Sequence, residues 1–315
     1  VQHVKAELIR RLNEGRYDAG QRFLSNRVLA SRHDLSYQTA DRLIRELAQE
    51  GYLERRAASG TYVPGRTPAA HGACLCLHSR SRRAGSFGER LLQELKARLG
   101  RDGISSVELF DDEADSDFPE GWYPVLWEWS GRSSPRGGLL LHRRPASGMD
   151  STYWDSVTVD DFSGGVCAAQ LLRMHVPQGR KWVVISGPQE DDRSEARVAG
   201  FCSVHSADVI PAGWFAADGE RAAPFALATG ANGIFCANDR IAEGLISFAR
   251  RVGEPTPPIV GFDDAPIAEK LGITTIAIPW SEMATAAAST IRRRLVDRRG
   301  GCIHQVLAPI PVIRW

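Results

Sequence analysis

Beyond residue 70, four apolar runs end in short pairs that could meet a ligand. They are Asp160-Asp161 after Val157–Val159, Gly187-Pro188 after Trp182–Ser186, Asn238-Asp239 after Ile234–Ala237, and Asp263-Asp264 after Ile259–Phe262. Carboxylates and an amide converging on one cleft, with Arg197 nearby, offer the acceptors and donors that the hydroxyls of a sugar-like ligand need. An Asp or Asn after a strand also caps the next helix, which accounts for any one pair but not for the set. A second cluster lies near the N-terminus, where Ser36, Tyr37, Gln38, Thr39 and Arg42 open a helical stretch. Gln pairs bidentately with adenine, Arg with guanine or phosphate, and Thr reaches a base edge or a phosphate. Arg27 and Arg55 or Arg56 could hold the nucleic-acid backbone. The same charges would also suit a solvated helix face.

Other residue patterns promise less. Cys74 and Cys76 are two apart in a strand-like run and share one face, as buried apolar cysteines or as a redox or metal pair. The acidic stretch Asp111–Asp117 has Ser116 and Trp122 where a calcium loop needs Gly and Glu, so it reads as a solvated loop. There is no HExxH, P-loop, GxGxxG or nucleophile elbow, so no catalytic residue, metal or cofactor is expected. The six cysteines are scattered, as in a protein of reduced thiols.

These residues must be positioned by a chain of 315 residues, 43% hydrophobic and 24% charged, which predicts about two domains. No apolar run approaches the roughly 18 residues of a membrane helix, and no signal-peptide core opens the chain. A cytoplasmic protein is therefore expected. The net charge of +1 hides an asymmetry: residues 1–67 hold 12 Lys/Arg against 8 Asp/Glu, and residues 68–315 hold 27 against 30. A basic head on a slightly acidic body suits a nucleic-acid reader with a separate sensor.

In the head, Val4, Leu8, Ile9 and Leu12 predict a helix that Gly15 closes. A short helix over 26–33 follows. Ser36 then caps a third helix with Ala40, Leu43, Ile44, Leu47 and Ala48 as its apolar stripe and Gly51 as its stop. Two short strands, 52–56 and 61–63, joined through residues 57–60, complete a helix-turn-helix and hairpin. Pro64 to Gly72 reads as a connector. Beyond it, strands are predicted at 73–78, 106–110, 138–142, 157–159, 182–186, 234–237, 259–262 and 275–278. Helices are predicted at about 87–99, 164–174, 194–204, 241–252 and 282–295. That alternation predicts a parallel sheet covered on both faces, with ligands outside the strand carboxyl ends.

The run FLSNRVLASRHDLSYQTADRLIRELAQEGYLERRAASGTYV (23–63) resembles the winged-helix head of the GntR family of bacterial regulators. The resemblance rests on Ser25 and Arg27 before Leu29-Ala30, Ser36 with Thr39, Arg42, Leu47, Glu50-Gly51 and the wing Gly60-Thr61-Tyr62-Val63. It implies that Arg27, Ser36, Gln38, Thr39 and Gly60 face DNA. Tyr37 and Asp41 depart from it, standing where members of the family often carry Arg.

The body is similar to the ligand-sensing domain of LacI/GalR repressors, which is built like a periplasmic sugar-binding protein. The likeness is carried by VTVDDFSGGVCAAQLL (157–172), VVISGPQEDDRSEARVAGF (183–201), and GIFCANDRIAEGLISFARRVGEPTPPIVGFDD (233–264) continuing into ITTIAIPWSEMATAAA (273–288). It implies that Asp161, Arg197, Asn238 and Asp263 touch the effector, with Trp280 and Trp214 as walls for an apolar sugar face. The likeness lapses between Phe110 and Gly138 and in PASGMDSTYWDS (145–156), leaving half of the pocket unassigned apart from Ser79 and Arg80 as candidates. A GntR-type head on a LacI-type sensor resembles the arabinose-repressor branch of GntR regulators.

The expected fold class is therefore α/β. It comprises a winged helix-turn-helix over 1–65, a linker at 66–72, and a two-subdomain, mostly parallel-sheet effector-binding and dimerisation domain over 73–315. The expected function is a homodimeric transcription factor, a repressor of operator DNA governed by a small polar effector such as a sugar. A non-sugar corepressor, a cytosolic α/β enzyme and a transport component are the rivals.

Overall fold

The computed structural model describes residues 2–13, 16–18, 20–49, 52–56, 59–63, 71–83, 86–112, 118–119, 121–131, 135, 137–145, 154–176, 181–296 and 301–315. The expected helix stops Gly15 and Gly51, residues 57–58 of the hairpin, most of the connector, acidic residues 113–117 and residues 146–153 lie outside the described residues.

The head consists of α1 (Gln2–Asn13), α2 (Asn26–Arg32), α3 (Tyr37–Gln49) and the antiparallel pair β1 (Glu54–Arg56) and β2 (Gly60–Tyr62). Its core joins Leu8 and Leu12 of α1, Leu29 of α2 and the α3 stripe Ala40, Leu43, Ile44 and Leu47. Serine caps start both later helices. Ser25 Oγ accepts from the Val28 N–H at 3.3 Å, and Ser36 Oγ from the Thr39 N–H at 3.1 Å.

Among the described residues the body contains two six-stranded sheets. The first is built from β3 (Ala73–Leu77), β4 (Ser106–Phe110), β5 (Tyr123–Trp127), β6 (Gly138–Leu141), β7 (Trp154–Val159) and β13 (His304–Leu307). Its order is β13-β7-β6-β5-β3-β4 and every pairing is parallel. The second is built from β8 (Trp182–Ile185), β9 (Asp208–Ile210), β10 (Gly233–Cys236), β11 (Ile259–Asp263), β12 (Thr274–Ala277) and β14 (Ile310–Val312). Its order is β14-β12-β11-β10-β8-β9, parallel except for β14 on the edge. Helices α4 (Phe87–Arg101) and α10 (Trp280–Val296) pack together over the first sheet. With the second sheet go α5 (Asp161–His175), α6 (Asp192–Val204), α7 (Ala216–Ala228), α8 (Asp239–Val252) and α9 (Pro266–Leu271).

Among the described residues the chain passes between the two sheets three times: at Asp160 between β7 and α5, at residues 278–279 between β12 and α10, and at residues 308–309 between β13 and β14. Residues at the strand carboxyl ends of both sheets face a common cleft.

The fold is the expected two-part α/β architecture, with additions. Strands β5, β9, β13 and β14 and helices α7 and α9 were not predicted. Helix α7 contains Gly219 and Pro224, which read against a helix, yet it packs along α8. Cys74 and Cys76 are buried on one face of β3 with their sulfurs 3.6 Å apart. Asp111 departs from the solvated loop predicted for it: its side chain is 5% exposed and accepts from the Ser79 N–H at 2.8 Å.

Candidate functional site

One cleft of about 440 Å³ lies between the two sheets, lined from both. On its second-sheet wall Arg197 projects from α6. Helices α5 and α6 cross so closely that a Cβ at Gly165 would lie 2.0 Å from the Arg197 carbonyl oxygen, and one at Gly200 2.0 Å from that of Phe162. Only glycine permits this approach, which sets Arg197 beside the start of α5. Its side chain is 2% exposed, with Nε donating to Asp161 Oδ1 at 2.7 Å and Nη1 to the Ala237 carbonyl at 2.6 Å and Asp263 Oδ1 at 3.0 Å. The guanidinium also lies 3.6 Å over the Phe262 ring. Arg197 and Asp263 line the cleft, while Asp161 does not; it holds Arg197 from behind.

Asn238 lines the cleft, but its amide is largely committed. Its Oδ1 caps α8 through the Ile241 N–H at 2.8 Å, and its Nδ2 holds the Trp214 carbonyl at 3.0 Å. Trp214 lies on the same wall, its indole N–H donating to Asp191 Oδ2 at 3.2 Å. Asp160 caps α5 through the Ser163 N–H, and Asp264 pairs with Arg314. Asp239 is fully buried and ties α8 to the β11 exit, accepting from the Ala265 N–H at 2.7 Å and the Thr275 hydroxyl at 2.6 Å. Burial, then the nearby Asp263 charge, pushes its carboxyl well above the usual range. Of the four post-strand pairs, capping accounts for Asp160 and much of Asn238, and the ligand-facing chemistry falls to Asp263.

Apart from Trp280 and the candidates Ser79 and Arg80, the first-sheet wall was unassigned by sequence. It carries Trp127 and Glu128 at the end of β5, His142 after β6, Trp280 at the start of α10, Phe87 of α4 and Arg80 after β3. Of the two candidates after β3, Arg80 lines the cleft and Ser79 does not. Trp280 stacks on Phe87, and His142 meets it edge-on with ring centroids 5.7 Å apart. Glu128 (φ 48°) and His142 (φ 61°) are both in the left-handed region, as are Asp263 (φ 98°) and Asp264 (φ 55°) opposite. Non-glycine residues there store strain, and four of them at the ends of three strands mark a built site.

Arg193, at the start of α6, spans the cleft. Its Nη1 donates to Glu128 Oε1 at 3.1 Å and faces His142 Nδ1 at 3.2 Å, while Nε and Nη2 grip Asp191 at 3.1 and 2.9 Å. Arg80 pairs with the other Glu128 oxygen. Burial would raise the Asp191 carboxyl, but the Arg193 hydrogen bonds and charge and the Trp214 indole hold it well below the usual range. Burial, then Arg193 and Arg197, drives His142 well below its ordinary value. The Asp263 carboxyl is pushed up to about 6, first by burial and against the pull of Arg197 and Arg193.

In the head, Arg27 on α2, Ser36 just before α3, and Tyr37, Gln38 and Arg42 in the first turns of α3 are exposed, while Thr39 is half-buried. Ser36 and Thr39 share a 2.8 Å hydroxyl hydrogen bond, and Arg42 lies 3.6 Å from Glu46. Gly60 opens the wing strand with φ +119°, and a Cβ there would meet Arg22 Nε at 3.0 Å. Asp41 turns inward, accepting from Asn26 Nδ2 at 2.9 Å and pairing with Arg45 at 2.8 Å and Arg55 at 3.7 Å.

Residues 1–63 match the family model of bacterial regulatory proteins of the gntR family, and residues 176–314 match that of the periplasmic binding protein-like domain. Compared by sequence with curated proteins, the chain matches none. Among solved structures it is similar to a LacI family transcriptional regulator from Enterococcus faecalis V583 with bound ribose, at 21% identity and a TM-score of 0.63, covering 77% of this chain and 97% of that one. It is also similar to the transcriptional regulator CelR in complex with cellobiose, at 19% identity and a TM-score of 0.61, covering 89% and 91%. A periplasmic solute binding protein of an ABC transporter from Actinobacillus succinogenes, with bound D-allose, matches at 16% identity and a TM-score of 0.60, covering 77% and 98%. At these identities the likeness is one of fold. The chain thus joins a head that matches the gntR-family model to a body with the periplasmic binding protein-like fold. Among the described residues no helix is long and apolar enough to cross a membrane.

Proposed function

We propose that this protein is a homodimeric transcriptional repressor whose affinity for operator DNA is set by a sugar effector in the cleft between the two sheets. The observation that carries the reading is the cleft itself. Aromatic rings from Trp280, Phe87 and Trp214 stand beside a buried network of Arg197, Arg193, Asp263 and Glu128. Rings of that kind stack on the apolar face of a pyranose or furanose, and the charged groups direct its hydroxyls. The relatives crystallised with ribose, cellobiose and D-allose share this architecture, which supports a sugar here.

The DNA-reading surface we propose is the exposed start of α3, with Gln38, Tyr37 and Arg42 at base edges, and Ser36, Thr39, Arg27 and the Gly60 wing on the backbone. Two heads brought together by a dimer of the 73–315 domain, each on its 66–72 linker, would meet half-sites about one helical turn apart. The absence of a recognisable catalytic motif and the regulator-type head support a binding protein rather than an enzyme, acting where DNA is, in the cytoplasm. A thermal-shift screen of the full chain against pentoses, hexoses, sugar acids, disaccharides and purines tests the effector. A sugar should raise Tm selectively by mass action, and the rise should vanish in Asp263→Ala. A purine hit without a sugar hit overturns the sugar reading. Adding the hit to a DNA-binding assay then separates inducer from corepressor.

A further inference from the structure

We infer that the effector is an anionic sugar, one bearing a carboxylate or a phosphate, and that Arg83 and Arg240 at the cleft mouth recognise its charged group. The inference deepens the sugar reading and rests on it. It comes from a census of what the cleft offers. Among the described residues five arginines line it, Arg80, Arg83, Arg193, Arg197 and Arg240, against two carboxylates, Glu128 and Asp263.

Few acceptors remain. Glu128 takes a hydrogen bond from Arg193 on Oε1, while its Oε2 pairs in charge with Arg80 but is buried without a hydrogen-bond partner among the described residues. Asn238 Oδ1 is committed to capping α8. Asp263 gives Oδ1 to Arg197 and keeps one oxygen for a ligand.

The donors are in surplus. His142 Nδ1 faces an Arg193 nitrogen, which can only donate, so Nδ1 accepts and the neutral ring carries its proton on Nε2. That Nε2, together with the indole nitrogens of Trp127 and Trp280, is buried with no partner, and all three residues line the cleft. A buried N–H without a partner costs stability, and in a cleft it points to a ligand that accepts. A neutral sugar is balanced, since each hydroxyl donates as well as accepts, and would meet more donors than acceptors here. A carboxylate or phosphate is acceptor-only and matches the excess.

The position of the anion follows from how the arginines are paired. Arg193 and Arg197 are locked into carboxylates on both sides and are not free to add a second anion. Arg83 has no partner among the described residues, and Arg240 has only Glu243, one turn along its own helix at 3.3 Å and outside the cleft lining. They come from opposite walls, Arg83 from the end of the 3-10 turn Ser79–Arg82 after β3 and Arg240 from the start of α8, so an anion bridging them would draw the walls together.

The test is calorimetric titration of the full chain with matched sets: ribose, ribonate and ribose 5-phosphate; glucose, gluconate, glucuronate and glucose 6-phosphate; and inorganic phosphate alone. At least one acid or phosphate should bind tenfold or more tightly than its neutral parent, and which arm wins distinguishes carboxylate from phosphate. The Arg83→Gln, Arg240→Gln double variant should keep the Tm of the free protein, since both side chains are solvent-facing, and should lose most of that preference. Equal or tighter binding of a neutral parent overturns the inference and leaves the sugar reading standing. Binding of inorganic phosphate as tight as of any sugar phosphate overturns it as well. No binding by any member overturns both readings.

Discussion

At the scale of single residues, the cleft is organised by charges that cannot be removed one at a time. Arg197 satisfies two carboxylates, a carbonyl and an aromatic face from a nearly dry position. Arg197→Ala leaves Asp161 and Asp263 buried without their cation and should cost about 3–5 kcal/mol of unfolding free energy. Arg197→Lys should recover little of it, because an ammonium lacks the planar fork and the stacking face. Urea denaturation of the three proteins checks this, and a loss below about 1 kcal/mol in the alanine variant would show that water reaches the carboxylates. Asp263 adds a pH signature. Its carboxyl titrates at about 6 in the fold, under burial and the opposing charges of Arg197, Arg193 and Asp161, against about 3.9 in an unfolded chain. Between those values the folded state holds a proton that the unfolded state has lost, so this residue makes stability fall as pH rises from about 4 to 6. The difference in unfolding free energy between wild type and Asp263→Asn should therefore decline over that window, by up to about 3 kcal/mol. A flat difference would mean that Asp263 is ionised throughout. A sugar hydroxyl donating to Asp263 should, for the same reason, bind more tightly above pH 6 than below it.

At the scale of elements, what could be read from sequence divides along the two sheets. Around the second sheet the ligand-facing residues sit in local motifs, such as Asn238 closing one strand and Asp263 another, so period and punctuation sufficed to find them. Glu128 and His142 have no such signature. They become neighbours because β5 and β6 pair in parallel, and they face the cleft because each adopts a left-handed backbone that neither residue type advertises. Strand β5 itself, Tyr-Pro-Val-Leu-Trp, stands between stretches rich in Gly, Asp and Ser that read as loop. Arg193 lay within a recognised segment but gave no reason to prefer it until its carboxylate and imidazole partners, from strands some fifty and more residues earlier, were in place. The edge strands β13 and β14 are too short to stand out, although each completes a sheet. In the head, Asp41 is the informative departure. It occupies Arg45 and Arg55 and ties α2 to α3 through Asn26, so it restrains two cations that would otherwise be free to seek phosphate. Asp41→Ala should tighten binding to random-sequence DNA and steepen the salt dependence by about one unit for each arginine that gains a phosphate. Fluorescence anisotropy over a salt series checks this, and an unchanged slope would place both arginines away from the duplex. Gln38→Ala should instead alter sequence preference at a nearly constant slope, whereas Arg27→Ala should lower affinity for all sequences together.

At the scale of the whole molecule, the two sheets are joined by three crossovers, and Arg193 reaches from one across to the other. Its hydrogen bonds to Glu128 and His142 join the two walls of the cleft, so widening the cleft would break them and they favour a closed cleft in the free protein. An effector that prefers the closed cleft works on the same equilibrium, and it can shift DNA affinity only by its own differential affinity for the two states. Removing the latch is thus the opposite of adding the effector, and it can be done without knowing what the effector is. In Arg193→Met the apolar stem remains and the cross-cleft bonds are lost, so the closed fraction should fall. If closure releases DNA, as it would for an inducer, this variant should bind operator more tightly than wild type in the absence of any ligand, by about fivefold or more if the coupling is of ordinary size. If closure is instead what DNA binding needs, the same variant should bind more weakly, and the effector is a corepressor. A small-angle scattering measurement on the free proteins separates these from a trivial outcome. The variant should have the larger radius of gyration, and an unchanged radius with unchanged DNA affinity would show that Arg193 does not hold the cleft.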